Sequence, residues 1–489
     1  MAKRVAVIDI GSNSLRMVIY EKTSRFAFHI LHEAKSRVRI SQSAYQNSGN
    51  LQEVPMQRAY DALDNFLSII ASFKARKTLC VATSALRDAP NQKEFLNRVK
   101  NGLGLNIKVI DGQREAYLGA VACANLLPEQ ENALCIDIGG GSTEFALINK
   151  KNILKNISLN LGTVRLKELF FDSNDIDGAK EYIDKELALL DSIDASTMIG
   201  IGGTFRAISS ALLLKSNYPL DKLHAYRPSY DDFEDFLEKI LSSDEDDLKK
   251  IGIKSTRFDV IKSGALILLR VFKKFKIKEL LTSGVGVREG VFLADLLRTS
   301  KDRFPLNYNT SVRYILDAHV ENLSYANQIS RVSKTLFDLS ADALKIGKKY
   351  RYELSIASKL CMSGSTIHFY SSNKHSYELI QDALEFGFTH EQITLIATLA
   401  RFSKRKLPSS SHVEKFSSLL PCEDELNALS YLLSLSVALL SHMPRNIDFN
   451  LSFKDNAFVV ESKNSLYLAR ESVEKLEPLK NSSLEVKFL

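Results

Sequence analysis

Cysteine is scarce in this 489-residue chain: five residues, Cys80, Cys123, Cys135, Cys361 and Cys422, odd in number and never spaced as C-x-x-C. That pattern argues against a disulfide framework or a thiol-based zinc site and suits reduced thiols in a cytoplasmic protein. Glycine (22) and proline (10) are too few for a collagen-like, proline-rich or low-complexity chain. Long apolar runs are missing as well. The most apolar later run, Ala428 to Leu440, is 13 residues with serines inside it, against roughly 20 needed to cross a bilayer. The opening Met1-Ala2-Lys3-Arg4 passes at once into Val5-Ala6-Val7-Ile8-Asp9, whose early acid does not suit the apolar region of a signal peptide. A cytoplasmic chain with no membrane partner is expected.

What is present is globular: 45% hydrophobic and 25% charged residues, with length for about three domains. The net charge of +7 is unevenly placed, because residues 1–122 hold 18 Lys and Arg against 10 Asp and Glu and so carry +8, leaving the rest near neutral. The N-terminal quarter is the part that attracts anions. This permits polyanion partners without implying specific nucleic-acid binding.

An internal repeat carries most of the information. Residues 4–20 are an apolar run, a Gly/Ser/Asn turn and a second apolar run, the pattern of a buried β-hairpin. The pattern returns at 133–148, setting Asp137 against Asp9, Gly139 against Gly11, Ser142 against Ser14 and Glu144 against Arg16, all at an offset of 128. Each half also holds a second strand-to-helix junction, Leu79 to Ser84 before a helix over 85–99, and Met198 to Thr204 before a helix over 205–214. Free backbone N–H groups at such helix starts favour anions. Four small-residue turns facing one cleft would make a phosphate clamp. Helices are also expected over 55–76 and 258–275, a short strand over 104–110, a third strand-turn-helix unit over 280–290, and a solvated loop at Ser242 to Asp247.

These segments resemble the exopolyphosphatase and guanosine pentaphosphate phosphohydrolase (Ppx/GppA) family, within the actin, heat-shock chaperone and sugar-kinase superfamily. The markers are D-I-G-S-N-S-L-R (9–16), A-T-S-A-L-R-D-A (82–89), D-G-Q-R-E-A (111–116), D-I-G-G-G-S-T-E (137–144), G-I-G-G-T (200–204), R-F-D-V-I-K-S-G-A (257–265) and S-G-V-G-V-R-E-G (283–290). The resemblance implies two duplicated α/β domains of the RNase H-like, actin-like ATPase type, 1–122 and 123–300, with a cleft between them. A mainly helical, degenerate HD-like domain would follow over 301–489, ending in a small α/β subdomain from about 445. In that domain Tyr325 and Cys361-Met362 stand where HD enzymes carry metal residues, so a second metal site is not expected.

The resemblance also implies site roles. Glu115, by composition a first-turn helix acid, becomes the base that activates water for attack on a terminal phosphorus. Asp137 and Glu144 match the family's acidic, divalent-cation site and suit Mg²⁺; Glu144 is thus both a catalytic and a metal candidate, and Asp9 is a third metal candidate by pseudo-symmetry. Gly11, Ser12, Asn13, Ser14, Gly139, Gly140, Gly141, Ser142, Thr143, Gly202, Gly203 and Thr204 would give phosphate donors, with Arg16 as a cation for the same anion and Arg87 and Arg257 either as further phosphate ligands or as members of structural ion pairs. Lys35, Arg37 and Arg39 alternate at strand spacing, as a polyanion track or as a plain solvated face. The expected substrates are polyphosphate and guanosine penta- and tetraphosphate, with a homodimer plausible by resemblance. A kinase or ATPase of the same fold, and a non-catalytic nucleotide sensor, are the competing readings.

Overall fold

The computed structural model describes residues 3–191, 193–479 and 483–489, so Met1 and Ala2 of the opening segment lie outside the described residues. The chain divides into two compact units, Met1–Tyr308 and Asn309–Leu489.

The first unit holds two five-stranded sheets of one topology. In the first, β1 (Arg4–Ile10) and β2 (Leu15–Lys22) form an antiparallel hairpin and β3 (Phe28–Ser36) extends it, while β4 (Lys77–Ala82) and β5 (Lys108–Val109) add in parallel beyond β1, giving the order β3-β2-β1-β4-β5. The second sheet uses β6 (Ala133–Ile138), β7 (Thr143–Asn149), β8 (Asn152–Leu159), β9 (Thr197–Ile201) and β10 (Glu279–Thr282) in the matching order β8-β7-β6-β9-β10. β1 and β6 read as unbroken apolar runs because side chains on both of their faces are buried. Even the irregularities repeat. The β2–β3 ladder slips between Ile19 and Tyr20, and the β7–β8 ladder between Leu147 and Ile148, again 128 residues on. The Gly11 N–H to Ser14 carbonyl bond (3.3 Å) recurs as Gly139 N–H to Ser142 carbonyl (2.9 Å).

Helices pack on both sheets. α1 (Glu53–Ser72) buries Met56, Ala59, Leu63, Phe66 and Ile70 at helical spacing. The single helix expected over 85–99 is two, α2 (Ser84–Arg87) and α3 (Gln92–Leu103), because Pro90 cannot sit in a helix interior. The strand expected over 104–110 shrinks to β5, since Gly104 turns left-handed (φ 64°) to end α3. α4 (Gly112–Leu126) is capped by Asp111, whose carboxylate accepts the Arg114 N–H at 2.6 Å. α5 (Thr163–Leu169), α6 (Ile176–Leu187), α7 (Gly202–Lys215) and α8 (Tyr230–Ser242) follow. The acidic stretch expected as a loop instead starts α9 (Glu245–Lys250). Asp244 caps it at 2.8 Å and its first-turn acids favour the positive end of the helix dipole. α10 (Phe258–Phe275) matches its expected span, and α11 (Val287–Leu296) completes the unit.

The second unit winds α12 (Thr310–His319), α13 (Leu323–Ser340), α14 (Arg351–Leu360), α15 (Ser372–Ala383), α16 (His390–Arg401), α17 (Ser410–Lys415) and α18 (Glu423–Leu439) around one core. Buried on nearly every side, α18 accounts for the apolar run at 428–440. No helix among the described residues is long and apolar enough to cross a membrane. Tyr325 and Cys361 are buried in this core, with the Tyr325 hydroxyl donating to the Leu440 carbonyl at 3.3 Å. β11 (Asn450–Lys454), β12 (Ala457–Glu461), α19 (Tyr467–Glu474) and β13 (Glu485–Phe488) close the chain as a small sheet of order β11-β12-β13 with one helix.

α4 and α11 approach so closely that a Cβ on Gly290 would fall on the backbone of Leu118. Gly290→Ala is therefore expected to lower stability by about 1–3 kcal/mol through overpacking, read as a lower urea midpoint at unchanged slope; an unchanged midpoint would refute the close approach.

Candidate active site

The duplicated hairpins aim their chemistry at one place. Asp9 and Arg16 are cross-strand partners in the first hairpin, as Asp137 and Glu144 are in the second. Both pairs line a cavity of about 380 Å³ between the two halves of the first unit. The start of α4 supplies Glu115, and the start of α7, at the end of β9, supplies Gly202, Gly203 and Thr204. Gly202 stands at φ 86°, which a side chain would resist. At the other wall the turns of the two hairpins abut, leaving a Cβ on Gly140 only 2.7 Å from that of Ser12.

Five carboxyl groups line this cleft, Glu289 among them, and burial pushes the other four up. Asp9 is raised by burial against the pull of Arg288 and Arg16. Asp137 reaches about 6, through burial and the nearby Asp9. Glu144 reaches about 7, through burial and Asp137, although Ser142 and Ser158 hydrogen-bond to it, Ser158 at 2.7 Å. Glu115 is raised well above the usual range by burial and Glu144, while Arg87, donating to its Oε2 at 2.8 Å, works the other way.

Of the residues expected at the site, Gly11, Ser12, Asn13, Ser14, Arg16, Gly139, Gly140, Gly202, Gly203, Thr204 and Arg257 line the cavity with the acids. Arg87, Gly141, Ser142 and Thr143 do not. Arg87 is committed to Glu115, the Ile110 carbonyl (3.3 Å) and Ser142 Oγ (3.4 Å), so it orients the acid from behind. A Cβ on Gly141 would meet Ser84 and Ser12, which places it against the first half's turns. Thr143 follows the strand pleat away from Glu144, and its hydroxyl donates to the Leu161 carbonyl. Lys35 lies on β3, but Arg37 and Arg39 fall beyond its end; Lys35 and Arg37 line the cavity, and both arginines bind Asp259.

Three charged residues went unassigned from sequence. Arg206 lines the cleft and donates to the Gly202 and Gly284 carbonyls at 2.9 and 3.1 Å; burial and Arg16 lower it to about 10. Arg288 and Glu289 line it too, Glu289 accepting from the Tyr20 hydroxyl (2.9 Å) and the Gly286 N–H (2.8 Å). Their signal was charge inside glycine-rich helix starts, G-G-T-F-R and S-G-V-G-V-R-E-G.

The profile of the Ppx/GppA phosphatase family matches residues 3–299, and that of the family's domain III matches residues 309–486. The chain belongs to the Ppx/GppA phosphatase family. It is similar to the guanosine-5'-triphosphate,3'-diphosphate pyrophosphatase of Photobacterium profundum, 27% identical over 476 residues that cover 93% of this chain and 90% of that one. Among solved structures it is similar to an exopolyphosphatase from Cytophaga hutchinsonii (26% identity, TM-score 0.57, 62% of this chain and 100% of that one). The Aquifex aeolicus member of the Ppx/GppA family is another (30% identity, TM-score 0.52, 61% and 99%).

In this Ppx/GppA chain the donor chemistry fits Mg²⁺. Asp137, half-buried, and Glu144, buried, are adjacent carboxyls whose proton affinity is raised by burial first and by neighbouring negative charge second, and a hard cation relieves both. Among the described residues no three or more acid, His or Cys side chains form a protein cage, so water and phosphate oxygens would complete the shell.

Arg87 holds the Glu115 carboxyl down, so its loss raises that group further and a higher pH is needed to ionise it. Arg87→Gln should shift the acid limb of the kcat/KM–pH profile for phosphate release toward higher pH. An unmoved limb would separate Glu115 from the ionisation that limits the rate.

Proposed function

We propose that this chain is a phosphohydrolase that removes terminal phosphate from inorganic polyphosphate and from guanosine pentaphosphate at one Mg²⁺-assisted site. The observation that carries the reading is Glu115: a buried carboxylate, fixed by Arg87, opening onto a cleft walled by backbone turns and guanidinium groups. Both substrates end in a phosphoanhydride, so one site serves both.

The Gly139-Gly140 turn, Ser12 and Ser14 bind the terminal phosphate, and the N-terminus of α7 at Gly202, Gly203 and Thr204 faces the phosphates with its free N–H groups. Arg16, Arg206 and Arg257 balance the oxygens' charge. Glu115 orients a water in line with the terminal phosphorus and takes its proton as the new O–P bond forms. The bridging P–O bond breaks with its electron pair going to the shortened chain, and no covalent enzyme intermediate is needed. Mg²⁺, held by Asp137 and Glu144 with Asp9 nearby, would supply charge neutralisation on the phosphate oxygens.

Two outcomes follow for phosphate release measured in parallel on long-chain polyphosphate and guanosine pentaphosphate. Glu115→Ala is expected to lower both rates by about 10²-fold or more with substrate binding retained. Full activity would remove Glu115 from its role, and a wild type that binds but releases no phosphate would favour a sensor. Asp137→Asn should raise the Mg²⁺ concentration for half-maximal rate by about 10-fold or more, and an unchanged Mg²⁺ dependence would move the metal site elsewhere.

A further inference from the structure

Behind the wall formed by Ser12 and Asn13 lies a second, smaller cavity of about 110 Å³, which those two residues line together with Arg39, Lys167, Asp259 and Glu168, whose carboxylate is taken up by the Ser43 and Tyr45 N–H groups at 2.8 and 3.2 Å. An ionic bridge links side chains of the two cavities. Arg37, on the cleft side, donates through Nη2 to both Asp259 oxygens at 2.7 and 2.8 Å, and Arg39, on the far side, donates to Oδ2 at 3.0 Å.

Three features mark the bridge as more than a surface ion pair. It sets two guanidinium groups against one carboxylate, and the Nε of each arginine is buried without a hydrogen-bond partner among the described residues. Arg39 is held at φ 48°, in the left-handed region, by its N–H bond to the Asn13 carbonyl (3.0 Å), so the phosphate turn itself fixes the place of this arginine. Cationic charge is also in surplus at this mouth: after burial, the like charges of Arg16, Arg257 and Arg37 bring Lys35 down to about 8. A chain of phosphates offers guanidinium the same two-oxygen geometry as Asp259 and therefore competes with it directly.

We propose that the catalytic cleft continues past the Arg37–Asp259–Arg39 bridge into the second cavity, that the two arginines receive distal phosphates of a long polyphosphate, and that Asp259 sets the preference between long chains and short ends. This rests on the polyphosphate hydrolysis proposed above. Asp259 touches no reacting atom; it is a positioning residue that occupies the two guanidinium groups until a longer anion displaces it.

The test is steady-state hydrolysis of tripolyphosphate and of long-chain polyphosphate by the full-length protein, with thermal melting as a check on folding. Asp259→Asn should lower KM for the long chain about fivefold, leave KM for tripolyphosphate and both kcat values within about twofold, and Asp259→Glu should restore the wild-type ratio. Arg39→Gln should raise KM for the long chain alone and cancel the gain in the double variant. Equal shifts for both substrates, or a long-chain KM that rises in Asp259→Asn, would overturn the proposal. If Asp259→Asn does not fold, Arg39→Gln decides, and an unchanged long-chain KM overturns it. A wild type that hydrolyses neither substrate defeats the parent reading, whereas one that hydrolyses both with a ratio neither variant moves defeats this inference alone.

Discussion

Charge held out of water is the constraint around which the first unit is organised. Asp9, Glu115, Asp137 and Glu144 would each rather be neutral in such surroundings, and their raised proton affinities record that cost. Arg16, Arg206 and Arg288 are the counterweight; Arg16 is itself depressed by burial and Arg288, and Arg206 by burial, Arg16 and Arg288. Neither set is comfortable alone. Phosphate brought to the arginines and the hard cation proposed for the acids would relieve both.

The duplicated fold explains how such opposed groups come to face each other. Two hairpins of identical register, with the same bulge and the same turn bond, deliver one position to the cleft from each side. At that position one half offers Arg16 and the other Glu144, so a symmetric scaffold places opposite charges at equivalent points of the cleft. The close contact of the turns at Ser12 and Gly140, and the left-handed Gly202, set three small-residue turns against the same cavity.

Where the elements departed from their expected spans, local chemistry was the reason. Pro90 divides a helix whose apolar spacing reads as continuous, Gly104 ends the next one early and consumes most of a strand, and Asp244 turns an acidic loop into a capped helix. Thr143 shows a limit of another kind. Its neighbours Ser142 and Glu144 face the charged network, but a strand's pleat turns every second residue over, and motif membership does not reveal which face wins.

The sequence by itself determined the duplication, the two α/β halves, the family and most of the cleft-lining residues, because those depend on local periodicity and on motifs that repeat at a constant offset. Only the tertiary structure decided which members of the motifs reach the cavity. It paired Arg87 with Glu115, brought Arg206, Arg288 and Glu289 into the site, and joined Arg37 and Arg39 to Asp259, a residue 220 positions beyond Arg39. Such pairings arise from the packing of one half against the other, and an ion pair between distant residues leaves no trace in the local pattern of either segment.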